Sequence, residues 1–198
     1  MKIIKRKLKI LKERKIKKKV NNIKRKIKVF KKRKIQKNFN KFFEWVKGAK
    51  LVELKFCNID EDPVRPELDV IFRRSYGRKI YGVKYNKEIC AIMCFGFSDE
   101  IPKTIKELDL MTRDAYLRSV RRDQNIGQIA IAYTIWSKKR GGGKLIVKEV
   151  FKMIKKSNHL NRLVTLSPLT EMARNFHFNN GAIELQVNQE TQNFEYKI

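Results

Sequence analysis

The sequence predicts an α/β domain built on a mixed sheet and preceded by a basic helical arm. Three observations carry this. Short strand-like and helix-like segments alternate through residues 50–198. Three consecutive glycines, Gly141, Gly142 and Gly143, separate a strongly alternating segment from an amphipathic one. The charge is also lopsided: of the 48 Lys and Arg behind a net charge of +28, 20 lie in residues 1–37, with a single acid, Glu13. A chain of 198 residues, 42% hydrophobic, suffices for one domain plus an appendage. The expected division is an arm over residues 1–47 and a domain over residues 48–198.

Residues 2–37 contain neither Gly nor Pro. Ile16, Val20, Ile23, Ile27 and Phe30 recur at intervals of four and three, one stripe of an amphipathic helix. Ile4, Leu8 and Leu11 form a similar, offset stripe. As a helix the stretch is roughly 50 Å long at about 1.5 Å per residue. Repulsion among its lysines opposes that helix in isolation, so a disordered arm is the other reading. Either way so cationic a segment seeks polyanions: nucleic acid, anionic lipid or an acidic protein surface. Phe42, Phe43 and Trp45 read as its anchor, and Gly48 as its end.

Residues 51–57 alternate and predict a first strand, and Pro63 and Pro66 punctuate a loop. Residues 67–76 predict a helix ending at Gly77. Residues 80–85 and 88–97, joined by Asn86-Lys87, predict a hairpin. Residues 99–111 read as a polar excursion and 113–122 as a short helix or irregular strand. Ile129, Ile131, Tyr133 and Ile135 alternate within a strand over 126–136. A helix over 144–156, a strand over 162–166, a helix from Pro168 to Phe178, and strands over 183–187 and 194–196 complete the expected order.

Composition narrows the classes. No apolar run approaches the roughly 18 residues of a membrane span, and lysines interrupt any signal-peptide core. Cys57, Cys90 and Cys94 are odd in number and sit among apolar residues, so they read as buried thiols of a reducing compartment. A cytoplasmic location is expected. Cys90, Cys94 and His159 fit no zinc spacing, and no metal is expected.

Glycines let backbone N–H groups approach an anion closely, and the following helix N-terminus adds partial positive charge. Lys138, Lys139, Arg140 and Lys144 add more. The run Lys138-Lys139-Arg140-Gly141-Gly142-Gly143 resembles the pyrophosphate loop of the GNAT N-acetyltransferase superfamily, Gln/Arg-x-x-Gly-x-Gly/Ala, with Lys138 at the Gln/Arg position. Downstream, Phe176-His177-Phe178-Asn179-Asn180-Gly181-Ala182 resembles that superfamily's Phe-Tyr-x-x-Asn-Gly-Phe. The resemblance spans roughly residues 50–198. It implies a GNAT-like fold: a mainly antiparallel, splayed sheet flanked by helices, with acetyl-CoA or another acyl-CoA in the gap beside the fourth strand. The loop from Lys138 to Lys144 would then hold the pyrophosphate. Backbone N–H groups near Ile135 and Ser137 would polarise the thioester carbonyl.

His177 stands where the superfamily usually has the tyrosine that protonates the departing thiolate. Phe176–Ala182 and Thr165-Leu166-Ser167-Pro168 also resemble elements of the malonyl-CoA decarboxylases, in which a Ser or Thr and a His act together on the thioester. Those enzymes are much longer and carry an additional helical domain. The carry-over is Thr165, with Ser167 close by, and His177. Taken alone, Thr165 is an ordinary strand residue, and Ser167 an N-cap before Pro168. The chain is also similar in kind to small acetyltransferase-like proteins of tailed phages, which would place it in the host cytoplasm or the virion. The leading expectation is an acyl-CoA-dependent transferase acting on an amine, with His177 as acid and Asp109, Asp114, Asp123 and Glu88 as undistinguished candidate bases. A malonyl-CoA decarboxylase-like enzyme is the second. The third is a nucleic-acid-binding or virion structural protein on the same fold.

Overall fold

The computed structural model describes residues 24, 25, 27–37, 40, 42–122 and 126–197, in two compact units, 1–48 and 49–198. In the first unit the described residues up to 48 are helical, and Ile27 and Phe30 of the expected stripe are exposed. The rest of both stripes, including Ile16, Val20 and Ile23, lies outside the described residues.

The second unit opens with β1 (Lys50–Leu54), a 3-10 turn (Ile59–Glu61), α1 (Val70–Arg74), β2 (Lys79–Tyr85) and β3 (Glu88–Ser98). It continues with α2 (Ile105–Arg122), β4 (Ile129–Ser137), α3 (Gly142–Lys155), β5 (Arg162–Pro168), α4 (Glu171–Asn179), β6 (Ala182–Val187) and β7 (Thr191–Tyr196). The strands form one seven-stranded sheet in the order β1-β2-β3-β4-β5-β7-β6. All neighbours are antiparallel except β4 and β5. This is the mixed, mainly antiparallel α/β sheet that the sequence predicts.

Two local features open the sheet. β4 and β5 pair only from Ile129↔Arg162 to Ala132↔Thr165. Opposite β3, the register jumps from Ala132 to Thr134, which makes Tyr133 the extra residue of a bulge. A bulge bends its strand and sharpens the twist, and from this point β4 leaves β5. The far half of β4, through Ser137, is paired with β3 alone.

One sheet face buries Ile80, Ile92, Cys94, Ile131, Tyr133 and Val164 in a core that Leu108 of α2 joins. On α3 the buried residues are Leu145, Ile146, Val147, Val150 and Ile154, and the helix packs on β3 and β4. The β2–β3 hairpin turns at Asn86 (φ 48°) and Lys87 (φ 70°), both left-handed as a two-residue turn of this hand requires.

Three expectations need correction. Residues 105–122 are one 18-residue helix, α2: of the two readings of 113–122 the short helix holds, and it extends back to Ile105 into the expected polar excursion. Its buried face is Leu108, Thr112, Ala115 and Ser119, too polar to register as an apolar stripe. The helix expected over 67–76 is the five-residue α1, capped by Asp69, whose carboxylate accepts the Phe72 N–H at 2.6 Å; Tyr76 already has a φ of 51°. The helix expected from Pro168 begins at Glu171. Thr170 caps it, and β5 runs on through Pro168, which pairs with Thr191. Proline is tolerated there because β5 has lost β4 as a neighbour and is paired on one side only. Ser167 is therefore a strand residue.

Candidate active site

The gap left by the departing β4 is a cavity of about 480 Å³. One wall is β4 from Ala132 to Lys138, another is Ser167, Pro168 and the α4 residues Met172, Ala173, Phe176 and His177. Glu61, Pro63 and Val64 close the third side. Backbone polarity along β4 follows from its pairing. The Lys138 N–H donates to Cys90 O of β3 at 2.9 Å. Successive N–H groups of a strand point to opposite sides, so those of Ser137 and Ile135 face the gap.

The three glycines have different roles. Gly141 has a φ of 82° and turns the chain into α3. Gly142 faces the sheet, where a Cβ would sit 3.0 Å from the Ser137 Cβ and 3.1 Å from the Cys90 carbonyl oxygen. Gly143 lines the cavity, and a Cβ there would come within 3.0 Å of the Phe176 ring. The Gly142 N–H is taken by Lys139 O at 2.8 Å. As second and third residues of α3, Gly143 and Lys144 carry N–H groups with no acceptor inside the helix. Lys138 pairs with Glu61 across the cavity mouth. Lys139 and Arg140 are exposed, and the Lys139 ammonium lies 4.5 Å above the Tyr85 ring. Lys144 instead lines a second cavity, of about 440 Å³, with Lys148, Phe151, Asn180, Tyr196 and Lys197.

His177 is buried, its ring stacked on Phe194 at 4.7 Å. Its Nε2 lies 2.7 Å from Ser167 Oγ and its Nδ1 2.8 Å from Tyr196 Oη. Ser167 Oγ donates to Thr165 Oγ1 at 3.2 Å. One proton arrangement satisfies all four groups: Tyr196 donates to Nδ1, Nε2–H donates to Ser167, and Ser167 donates to Thr165. Passing a proton along these bonds keeps the chain neutral when one proton leaves at the Ser167 end and another enters at Tyr196. Of the two hydroxyls, Ser167 lines the cavity and touches His177; Thr165 lies behind it, accepting the Phe194 N–H at 3.3 Å. The sequence alone does not single out Tyr196. The alternation of Phe194 and Tyr196 puts both on one face of β7, and that was the available signal.

Burial lowers His177 from its ordinary 6.5 to about 4, because no carboxylate faces the ring to stabilise an imidazolium. Burial pushes the Tyr196 phenol upward. The relay is thus neutral near pH 7. The His177 shift also carries a stability consequence. Between pH 6.5 and 4 the unfolded chain binds a proton that the folded chain refuses, so stability falls as the pH drops through that window, by about 3 kcal/mol in all. In His177→Gln the fall of melting temperature over this range should be visibly shallower; an unchanged slope would show that His177 is not the group responsible.

Tyr133 Oη and Trp136 Nε1 are buried in the core and have no hydrogen-bond partner among the described residues. Such groups cost about 1–3 kcal/mol each when left unsatisfied. The acids weighed as bases lie elsewhere. Asp109 pairs with Arg78 at 2.5 Å, Glu88 begins β3, Asp114 sits on α2 outside the cavity lining, and Asp123 is outside the described residues. Among the described residues no three metal-ligating side chains come together, and no helix is long and apolar enough to cross a membrane.

No family model and no curated protein matches the sequence. Solved structures do match in fold. A Bacillus subtilis acetyltransferase in complex with CoA superposes on 76% of this chain and 99% of its own, with a TM-score of 0.52 at 9% identity. The loading GNATL domain of CurA from Lyngbya majuscula superposes on 75% of this chain and 97% of its own, with a TM-score of 0.53 at 11% identity. Malonyl-CoA decarboxylase from Cupriavidus metallidurans matches 69% of this chain with a TM-score of 0.45 at 19% identity. The chain spans about a third of that enzyme's length, 35%. At these identities the likeness establishes a GNAT-like fold and leaves the chemistry to the site itself.

Proposed function

We propose that the gap beside β4 binds an acyl-CoA and that the chain acts on its thioester. The pantetheine would lie along the unpaired edge of β4, with the Ile135 and Ser137 N–H groups aimed at its amide and thioester oxygens. The pyrophosphate would meet the N–H groups of Gly143 and Lys144 at the start of α3. Lys144, Lys148 and Lys197 around the second cavity suit the remaining phosphate. The arm over residues 1–37 would add a polyanion-binding segment.

The Ser167–His177–Tyr196 relay carries the choice of chemistry. Its members are neutral and weak acids. Protonating a departing CoA thiolate asks for an acid near a thiol's own pKa of about 8.5, and Tyr196 is pushed the other way. An enolate is a far stronger base than a thiolate, and a hydroxyl backed by a neutral imidazole suffices to protonate its carbon. We therefore place decarboxylation of a malonyl-type acyl-CoA first. The bond between the carboxylate and the α-carbon breaks, carbon dioxide leaves, and the electron pair enters the thioester enolate. The β4 N–H groups stabilise that enolate, Ser167 gives a proton to carbon, Nε2–H of His177 replaces it, Tyr196 supplies a proton at Nδ1, and a proton from water restores Tyr196. Acyl transfer to an amine is the second reading. Glu61 favours it, a carboxylate lining the cavity and placed to take a proton from an acceptor.

The test is incubation with malonyl-CoA and no acceptor. Release of carbon dioxide and acetyl-CoA is expected; intact malonyl-CoA, with acetyl-CoA consumed only when an amine is added, would reverse the order. No turnover of either, with nucleic acid bound tightly, would support a structural role. Gly143→Val, which pushes a side chain into the Phe176 ring and the cavity, should weaken acyl-CoA binding at least tenfold by calorimetry, about 1.4 kcal/mol.

A further inference from the structure

The relay joins two cavities at different ends of the β5–β7 ladder. Ser167 and His177 line the first, beside β4, and Tyr196 lines the second, of about 440 Å³. Ser167 pairs with Gln192 and Leu163 with Tyr196, so the two ends of the relay stand about 13 Å apart along β7, at about 3.3 Å per residue. Two hydrogen bonds bridge that distance, Ser167 Oγ to His177 Nε2 at 2.7 Å and His177 Nδ1 to Tyr196 Oη at 2.8 Å. Tyr196 Oη accepts no hydrogen bond from any described residue, which leaves its lone pairs to water. Four residues lining the second cavity, Lys144, Lys148, Gly181 and Lys197, are exposed, so solvent reaches it. The first cavity offers no such supply once filled. Ser167 keeps only 7% of its surface exposed, and an acyl-CoA in the gap would cover it. The third side of that cavity is pinned to β4: Asp62, between the lining residues Glu61 and Pro63, accepts from Thr134 Oγ1 at 2.8 and 2.9 Å and from Arg73 Nη1 at 2.8 Å.

We propose that the second cavity is the water entrance of the relay, and that Tyr196 admits the proton that His177 and Ser167 pass on while substrate seals the first cavity. The proposal rests on the acyl-CoA reading. In one turnover an O–H bond of water breaks as Tyr196 takes its proton. The Tyr196 proton passes to Nδ1, the Nε2 proton to Ser167, and the Ser167 proton forms the C–H bond of the product. One proton thus crosses from the second cavity to the α-carbon, and solvent neutralises the hydroxide left behind. When the product leaves, the same bonds shift back with water in the open first cavity. The entrance is therefore needed only while Ser167 is cut off from solvent. At about 30 Å³ per water, the second cavity holds several waters beside the phosphate proposed for it.

The test substrate is malonyl-pantetheine, which lacks the nucleotide and so brings no phosphate to the second cavity. Val147→Phe puts a ring into that cavity from α3, and Lys197→Trp covers it from an exposed position with less demand on the core. Each folded variant should lose at least about tenfold in kcat at an unchanged KM, and the solvent deuterium isotope effect on kcat should rise. A merely structural disturbance would not raise that isotope effect. Wild-type kcat and isotope effect in both variants, or a change in KM alone, would overturn the proposal. A crystal structure of the full chain is the second measurement. Water in the second cavity within hydrogen-bond distance of Tyr196 Oη is expected; an Oη walled off from that cavity would overturn the proposal whatever the substrate. Wild-type protein that leaves malonyl-pantetheine intact, with that water in place, would reject the acyl-CoA reading and not the entrance.

Discussion

Ser167→Ala should lower turnover of the acyl-CoA substrate by about 10²–10⁴-fold, the range for losing a positioned proton-transfer group, with little change in acyl-CoA affinity. The substitution removes the hydroxyl that sits between His177 Nε2, 2.7 Å away, and the cavity. Nothing else among the described lining residues joins that imidazole to a substrate in the gap. Thr165→Val is the informative comparison. Thr165 is buried behind Ser167 and spends its oxygen on Ser167 and the Phe194 N–H. Its loss should cost about 1–3 kcal/mol of stability through the orphaned N–H and far less activity than Ser167→Ala. Tyr196→Phe should fall between the two, since it breaks the far end of the relay and leaves Ser167 on His177. If Thr165→Val abolished turnover while Ser167→Ala kept it, the reacting hydroxyl would have been misassigned.

Asp62→Ala should destabilise the domain by about 3–5 kcal/mol, a large share of the 5–15 kcal/mol available to a folded protein. The Asp62 and Arg73 side chains are both 0% exposed and lie 2.8 Å apart. Removing one strands the other charge in the core, and the Val64 and Arg65 N–H groups that Asp62 accepts at 2.8 and 3.2 Å are orphaned with it. Urea unfolding measures the loss. In the double variant Asp62→Ala/Arg73→Met the cost should be well below the sum of the two single costs, because no buried charge then lacks its partner. Additive costs would mean that the pair is not coupled. Thr134→Val removes one donor from a carboxylate that keeps its guanidinium and should cost about 1 kcal/mol.

Some of this site was legible in the chain. The glycines after an alternating strand located the start of α3, because only residues without Cβ permit the φ of Gly141 and the approach of Gly142 to Cys90 O. The Thr165–Pro168 and Phe176–Ala182 segments pointed to His177 and a hydroxyl partner. Which hydroxyl was not legible. Ser167 followed by Pro168 and an acidic turn reads locally as a helix start, and only the pairing of Pro168 with Thr191 keeps the residue in β5. Arg73 was missed for a similar reason: an arginine on a short helix reads as solvated, and its burial depends on Asp62, eleven residues away, folding back over β4.

By itself the sequence determined the alternating elements of an α/β sheet, the position of the glycine loop and the concentration of charge in residues 1–37. These follow from side-chain period, backbone steric freedom and composition, all of them local properties. Only the tertiary structure decided that Tyr133 bulges out of register, that β4 therefore parts from β5, and that Ser167, His177 and Tyr196 meet beside the opening. The three come from β5, α4 and β7, and no spacing rule connects them. Their contact and the neutrality of the imidazole arise from the packing of the sheet, where burial without a facing carboxylate drives the proton off His177.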